Sequence, residues 1–347
     1  MTDTFTATIE RSAVLADRLE AEPQNYRVLT GDRPTGALHL GHLFGSILER
    51  VRLQNTGVET FVIVADYQVI TDRDSIGDVR RHVLNAVTDY LAAGIDPART
   101  TIFTHSAVPS LNQLVLPFLS LVTEAELHRN PTVKAELADS HRALSGLLLT
   151  YPVHQAADIL FCKGNLVPVG KDNAPHVEQT RVIARRFNER YAPVFPVPEV
   201  LLTAVPELPG LDGRKMSKSY GNTIALGMTA DETAAAIRKA RTDTDRRITF
   251  DPATRPGVSA LLTTAAVCSG TTPEALADQI GDAGAGRLKQ LTTEAVNGFL
   301  AEHRRRRAEL AADEGYVLSV LRTGNATANA IGDATLAEVR TAMGTDY

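Results

Sequence analysis

The feature that most restricts this chain is the alternation of short apolar runs with helical patterns from Tyr26 to the neighbourhood of Ala230. Tyr26-Arg27-Val28-Leu29-Thr30 reads as a buried strand, Gly31 with Arg33-Pro34-Thr35-Gly36 as a turn, and the stretch from about His39 to about Leu53 as a helix. A second apolar run, Thr60-Phe61-Val62-Ile63-Val64-Ala65, follows. Val79, Val83, Val87 and Leu91, at helical spacing, then lead to a third, Thr101-Ile102-Phe103. Strands separated by helices pair in parallel, and such sheets carry ligands at the carboxyl ends of their strands. The expected fold is α/β, a Rossmann-like doubly wound parallel sheet.

Two stretches depart from the rhythm. Residues from about 106 to 150, with helical patterns and the polar Arg129-Asn130-Pro131-Thr132, are expected to be a helical insertion between the halves of the sheet. Alternation returns at Tyr151 and runs to Lys215-Met216-Ser217-Lys218-Ser219. From about Ala230 the pattern is helical, opening with Asp231 and Glu232 as first-turn acids. The expected organisation is an N-terminal extension (1–25), a catalytic domain (26–229) and an all-helical C-terminal domain (230–347).

Composition narrows the class without deciding it. A chain of 347 residues with 44% hydrophobic content can bury one large core and a smaller one. The net charge of −5 means that any RNA contact must come from local basic patches. Cys162 and Cys268 are too few and too far apart for a disulfide framework or a zinc site, so no metal site is expected and a reducing cytoplasm is the expected compartment. Met1 to Arg11 contains acids and no apolar leader, and no stretch is long enough to span a bilayer. A soluble protein without a membrane partner is expected.

The chemistry is concentrated in two segments far apart, His39-Leu40-Gly41-His42 and Lys215-Met216-Ser217-Lys218-Ser219. A strand, a glycine turn and a helix start place free backbone N–H groups and a positive dipole end where a phosphate can sit. His39 and His42 are spaced to share a helix face, and Gly41 leaves room for a flat adenine ring. Alone, this is better read as a surface helix start with solvated histidines. Pro209-Gly210-Leu211-Asp212-Gly213-Arg214 is a loop by composition that delivers Lys215 and Lys218 beside two serines. Two ammonium groups suit a leaving pyrophosphate, whose charge grows as its bond to the α-phosphorus breaks, although most lysines simply lie on surfaces. The two segments together, in this order, read as an ATP site.

The pair resembles the HIGH and KMSKS signatures of class I aminoacyl-tRNA synthetases. Asp66 in Val64-Ala65-Asp66-Tyr67-Gln68, the run from Tyr151 to Leu160, Val167-Pro168-Val169-Gly170-Lys171-Asp172, His176-Val177-Glu178-Gln179-Thr180-Arg181, Gly324-Asn325-Ala326 and Leu336-Ala337-Glu338-Val339-Arg340 resemble the tryptophanyl-tRNA synthetases. The resemblance implies that L-tryptophan is activated with ATP, Mg²⁺ accompanying the nucleotide, and transferred to tRNA(Trp). It also implies a homodimer and an anticodon-reading C-terminal domain. Catalysis would fall to His39, His42, Lys215 and Lys218. ATP would be lined by Arg33, Pro34, Thr35, Gly41, His42, Gly170, Lys171, Asp172, Leu208 and the loop residues Lys215, Met216, Ser217, Lys218 and Ser219.

Tyr151, Gln155 and Asp158, at i, i+4 and i+7, project from one helix face. A buried carboxylate there needs a donor, and an indole N–H supplies one without charge. By resemblance, Asp158 accepts from the tryptophan indole, with Val167 and Val169 against the ring. A helix cap or a surface acid is the plain alternative for Asp158. Tyr-x-x-x-Gln-x-x-Asp also resembles the pocket of tyrosyl-tRNA synthetases, so tyrosine stays open as the substrate. A nucleotidyltransferase that keeps the HxGH site but uses another acceptor is open as well. Arg33 and Asn173 stand where many tryptophanyl enzymes have Gln. His303-Arg304-Arg305-Arg306-Arg307 is the densest basic run, read either as a phosphate contact or as a solvated face paired with Glu302 and Glu309.

Overall fold

A computed structural model of the chain describes residues 12, 14–71, 77–131, 133, 134, 144–170, 174–202 and 208–347, with the backbone alone at Ser219. Strands β1 (Arg27–Asp32), β2 (Glu59–Val64), β3 (Thr100–Thr104), β4 (Leu166–Val169) and β5 (Glu199–Leu202) form a sheet in the order β3-β2-β1-β4-β5, every neighbouring pair parallel. The chain winds outward from β1 to β3, then crosses back to β4 and β5. The switch point therefore lies between β1 and β4, and in open α/β sheets ligands bind at the carboxyl ends of the strands there.

Both faces of the sheet are covered, which is why the strands read as unbroken apolar runs. Leu29, Phe61, Ile63 and Phe103 point into one core, and Val62, Val64 and Ile102 into another. Gly31 holds β1 close to β2, since a Cβ there would lie 2.1 Å from the Ile63 carbonyl oxygen.

After β1 come α1 (Leu40–His42), a π-helical stretch (Leu43–Ile47) and α2 (Leu48–Thr56); α3 (Val79–Ala92) joins β2 to β3. These pack on the Val62–Val64 face. Helices α4 (Pro109–Leu119), α5 (Glu124–Arg129) and α6 (Gly146–Leu160) lie between β3 and β4, and α7 (Ala174–Arg190) joins β4 to β5. Of these, α4, α6 and α7 pack on the other face through Leu111, Phe118, Val153, Ala157, Val177 and Ile183. Ser145 caps α6 by accepting from the Leu148 N–H at 3.0 Å. Tyr151 consequently sits inside a helix that begins within the stretch expected as the insertion.

From residue 230 onward the described residues form helices α8 (Ala230–Arg238), α9 (Pro256–Ser269), α10 (Pro273–Ile280), α11 (Gly284–Ala312) and α12 (Glu314–Met343). Thr229 and Glu232 make a reciprocal capping box at the start of α8, with Asp231 and Glu232 in its first turn. These helices share the Val62–Val64 core through Leu261, Leu288 and Val317. Closest of all is Gly324 of α12, where a Cβ would lie 1.9 Å from the carbonyl oxygen of Ile102 on β3. Residues 14–21 are helical, and Leu15 and Leu19 close a third apolar cluster with Val28, Leu53, Val58, Leu166 and Leu201. The described part of the stretch expected as an extension is thus packed against the sheet.

Candidate active site

β1 ends at Asp32, whose Oδ2 accepts from Arg50 Nη1 at 2.6 Å and from the Tyr90 hydroxyl at 2.5 Å. Arg50 is only 2% exposed and also donates to Thr30 Oγ1 and the Gly31 carbonyl. Burial by itself would raise the Asp32 carboxyl; Arg50, His42 and Tyr90 outweigh it and hold the group well below the usual carboxylate range. Burial and the Asp32 charge push the Tyr90 hydroxyl well above its usual value. A fixed negative charge therefore stands beneath the turn.

The two histidines share that turn in an arrangement helical spacing did not foresee. His39 is extended and outside the helix, as its N-cap. Its Nδ1 accepts from the Gly41 N–H at 3.2 Å, while His42 Nδ1 accepts from the His39 N–H at 3.2 Å. The ring centroids approach to 3.9 Å. Burial, with His42 and Lys218 adding to it, lowers His39 to about 3. Burial also lowers His42, against the pull of Asp32. Both rings are neutral near pH 7 and work as hydrogen-bonding groups.

The two signature segments meet in space. The Leu40 N–H donates to the Ile224 carbonyl at 3.0 Å and the Leu226 N–H to the Leu38 carbonyl at 2.9 Å, so the strand-like stretch after Ser219 zips onto the His39 turn. Asn222 ties the loop together: its Oδ1 accepts from the Ser217 N–H at 2.9 Å, and its Nδ2 donates to Asp212 Oδ1 at 2.7 Å and the Lys215 carbonyl at 3.0 Å. Met216 is buried against Gly41, where a Cβ would lie 3.4 Å from its Sδ and 3.0 Å from the His39 ring. The missing side chain of Gly41 therefore leaves room for Met216 and the His39 ring.

Lys218 is half-buried over Gly36, its Nζ 3.5 Å from the position of a Cβ there. Burial lowers its ammonium, with Asp32 opposing and Arg33 reinforcing the shift. Lys215 is exposed, Pro34 and Leu208 are buried, Thr35 is half-buried, and Gly170 closes β4 with open space where a Cβ would be. Arg33 donates to Thr71 Oγ1 at 3.2 Å. Lys171, Asp172, Asn173 and the Ser219 side chain lie outside the described residues.

On the other side of the switch point, α6 presents Tyr151, Gln155 and Asp158, the first and last buried and Gln155 half-buried. The Tyr151 hydroxyl lies 3.2 Å from His176 Nε2 on α7; burial, reinforced by Arg33, lowers His176 to about 4. A neutral imidazole there pairs with the hydroxyl, the direction of the bond following the tautomer. Val167 and Val169 are buried on β4 in the core shared with α6 and α7. Asp158 is 2% exposed in the last turns of α6, so it is neither a helix N-cap nor a surface acid. Its Oδ1 lies 2.7 Å from His105 Nε2. The next ring, His154, is lowered by burial and stands 2.9 Å from Asn112 Oδ1. Asp66 accepts from the Tyr67 and Ser106 N–H groups at 3.1 Å each and bonds the Ser106 hydroxyl, tying together the turns after β2 and β3.

Among the described residues, His105, His154 and Asp158 bring ligand atoms within 4.8 Å of one another, a set that could hold a metal ion. His105 Nε2 already faces Asp158, and His154 Nε2 faces Asn112, so the three side chains are also held together by hydrogen bonds of their own. The basic run also has partners within the chain. Arg304 donates to the Met228 carbonyl, Arg305 pairs with Glu302 and Glu309, Arg306 with Glu302, and Arg307 with buried Asp89 at 2.7 Å. Arg50, Tyr90, His105, Asn112 and Asn222 escaped the sequence reading. Arg50 lies midway between the buried Ile47 and Leu53, and His105 just past the carboxyl end of a buried strand; both placements were available as signals. Asn112 and Asn222 carried none.

The two signature segments are thus joined beside the switch point of a parallel sheet, and similarity to known proteins gives the class of protein this is. The family described as tRNA synthetases class I (W and Y) matches residues 22–301, and the chain belongs to it. Within that class its relatives are tryptophan–tRNA ligases. The enzyme of Clostridium longisporum is 38% identical over 331 residues, covering 92% of this chain and 97% of its own. That of Treponema pallidum is 41% identical over 330 residues, covering 92% and 96%. The tryptophanyl-tRNA synthetase of Campylobacter jejuni, solved with ADP and tryptophan, superposes with a TM-score of 0.81 at 30% identity, covering 92% of this chain and 99% of that one. A tyrosyl-tRNA synthetase from Archaeoglobus fulgidus, at 23% identity and a TM-score of 0.63, shares the fold.

Proposed function

We propose that this chain is a tryptophan–tRNA ligase: it joins L-tryptophan to AMP at the expense of ATP and transfers the tryptophanyl group to tRNA(Trp). The observation that carries the reading is the contact between the His39–His42 turn and the Lys215–Ser219 loop beside the switch point, with the Asp158 face of α6 across from it. In the first step the substrate carboxylate attacks the α-phosphorus and pyrophosphate leaves. Lys215 and Lys218 meet the charge that grows on the leaving group, and neutral His39 and His42 offer hydrogen bonds at the helix start. Arg33, Pro34, Thr35, Gly41, Leu208, Met216, Ser217 and Ser219 line the nucleotide, and Gly170, Lys171 and Asp172 meet its ribose side. Mg²⁺ travels with the phosphates and needs no dedicated protein ligand.

Asp158 accepts from the indole N–H, with Tyr151, Gln155, Val167 and Val169 around the ring. A phenol O–H also donates to a carboxylate, so it is identity with the tryptophanyl relatives that supports tryptophan over tyrosine. The working form is a homodimer in the cytoplasm whose C-terminal helices read the anticodon; among the described residues no helix is long and apolar enough to cross a membrane. The test is pyrophosphate exchange by Asp158→Ala. The expected result is a KM for tryptophan raised about 10- to 100-fold with the KM for ATP nearly unchanged. An unchanged KM for tryptophan would remove Asp158 from the pocket.

A further inference from the structure

We infer that His105 is a positioning and specificity-determining residue for tryptophan, acting through Asp158. The inference rests on the proposed function above, and in particular on Asp158 as the acceptor of the indole N–H.

His105 follows directly after β3 and opens the short turn His105–Ala107. Its side chain is fully buried, and its Nε2 stands 2.7 Å from Asp158 Oδ1. A carboxylate accepts, so the imidazole donates through Nε2–H. Nδ1 is buried and has no hydrogen-bond partner among the described residues. Asp158 Oδ2 makes no hydrogen bond within them, since His105 is the one partner of this carboxylate. One oxygen is thereby fixed by the protein and the other is left to select a ligand that brings an N–H.

The ring is held on every side that matters for that aim. It stacks on His154 at 4.5 Å between centroids and 28° between planes, and His154 is in turn anchored to Asn112 Oδ1. Asn112 Nδ2 donates back to the His105 carbonyl at 3.1 Å, closing the loop. The backbone on either side is gripped by α12: the Thr104 N–H donates to Asn325 Oδ1 at 3.0 Å, and Asn329 Nδ2 donates to the Ala107 carbonyl at 2.6 Å. A carboxylate without this donor would turn to other partners, and that change blurs its choice of an N–H donor.

The test measures pyrophosphate exchange with tryptophan and with benzothienylalanine, in which sulfur replaces the indole N–H. Tryptophan binding is read separately from ligand fluorescence, which is free of protein indole because the chain contains no tryptophan. His105→Leu should raise the KM for tryptophan about 10- to 100-fold, leave the KM for ATP within about twofold, and lower the preference for tryptophan over the sulfur analogue by at least about tenfold. His105→Gln, which keeps an N–H at similar reach, should restore most of that preference, a rescue that a merely structural role does not predict. If His105→Leu does not fold, His105→Asn, whose amide falls short of Asp158, replaces it. Loss of the preference in Asp158→Ala but not in the His105 variants overturns this inference alone. Exchange that does not depend on tryptophan, or an Asp158→Ala enzyme with an unchanged tryptophan KM, overturns the parent reading and this one with it.

Discussion

Replacing Gly324 by Ala should loosen the seam between the C-terminal helices and the sheet. In a solvated helix this change stabilises by about 0.5–1 kcal/mol, because glycine loses more backbone freedom on folding. Here the new Cβ would lie 1.9 Å from the Ile102 carbonyl oxygen and 2.7 Å from its carbon, whereas ordinary contact begins at 3.4 Å. Ile102 is mid-strand, its neighbours Thr101 and Phe103 paired with Phe61 and Ile63, so it cannot yield. Helix α12 must instead retreat by about 1.5 Å, the difference between those distances. Such overpacking costs about 1–3 kcal/mol, and the retreat strains the Asn325 and Asn329 bonds to the Thr104–Ala107 segment, at about 1 kcal/mol each. The net loss should be about 2–4 kcal/mol, outweighing the gain in helix propensity. Gly298→Ala, at an exposed position of α11 with nothing within 4 Å, is the control and should gain about 0.5–1 kcal/mol. Urea unfolding of both variants against the parent decides it. A Gly324→Ala protein whose midpoint equals or exceeds the parent's would refute the close approach of α12 to β3.

Arg307→Ala leaves the Asp89 side chain, 2% exposed, with the His303 ring 3.6 Å away in place of its guanidinium, and should cost about 2–4 kcal/mol in urea unfolding, while Arg305→Ala, whose partners are exposed, should leave the midpoint where it was. Lys218→Ala and Lys215→Ala should each slow adenylate formation about 10²- to 10³-fold in single-turnover experiments with little change in tryptophan affinity; an equal loss of tryptophan binding would place these lysines elsewhere. His39 and His176 are held at about 3 and about 4, below their ordinary 6.5, so on acidification each takes up its proton in the unfolded chain first. Their contribution is complete above about 6.5 and is lost as the pH falls from there toward those values, by up to ~1.4 kcal/mol per unit for each ring. Urea midpoints at pH 7.5, 6 and 5 should therefore fall in that order, and a midpoint that rises on acidification contradicts the buried neutral rings.

The sheet was legible because it is buried on both faces: Val28-Leu29 and Phe61-Val62-Ile63-Val64 leave no polar alternation to confuse with a surface strand. The helix from α1 to α2 was legible as one stretch, but not its π-helical segment, because apolar periodicity does not distinguish i+4 from i+5 bonding. What the sequence could not show was pairing at long range. The bond from Leu40 to Ile224 and the His105–Asp158 pair each join residues whose separation along the chain leaves no local trace. Tyr151, Gln155 and Asp158 were read on one helix face because all three lie within α6, where their spacing governs. The basic run from His303 was ambiguous for the same reason: Glu302 and Glu309 were visible as local partners of Arg305, whereas Asp89 as the partner of Arg307 was not.

The central claim is tested most directly by ATP–pyrophosphate exchange with each of the twenty amino acids in turn, followed by charging of tRNA(Trp) with the acid that responds. Exchange driven by tryptophan alone, with transfer to tRNA(Trp), is the predicted result. Exchange driven by tyrosine alone, or exchange that needs no amino acid, would contradict it.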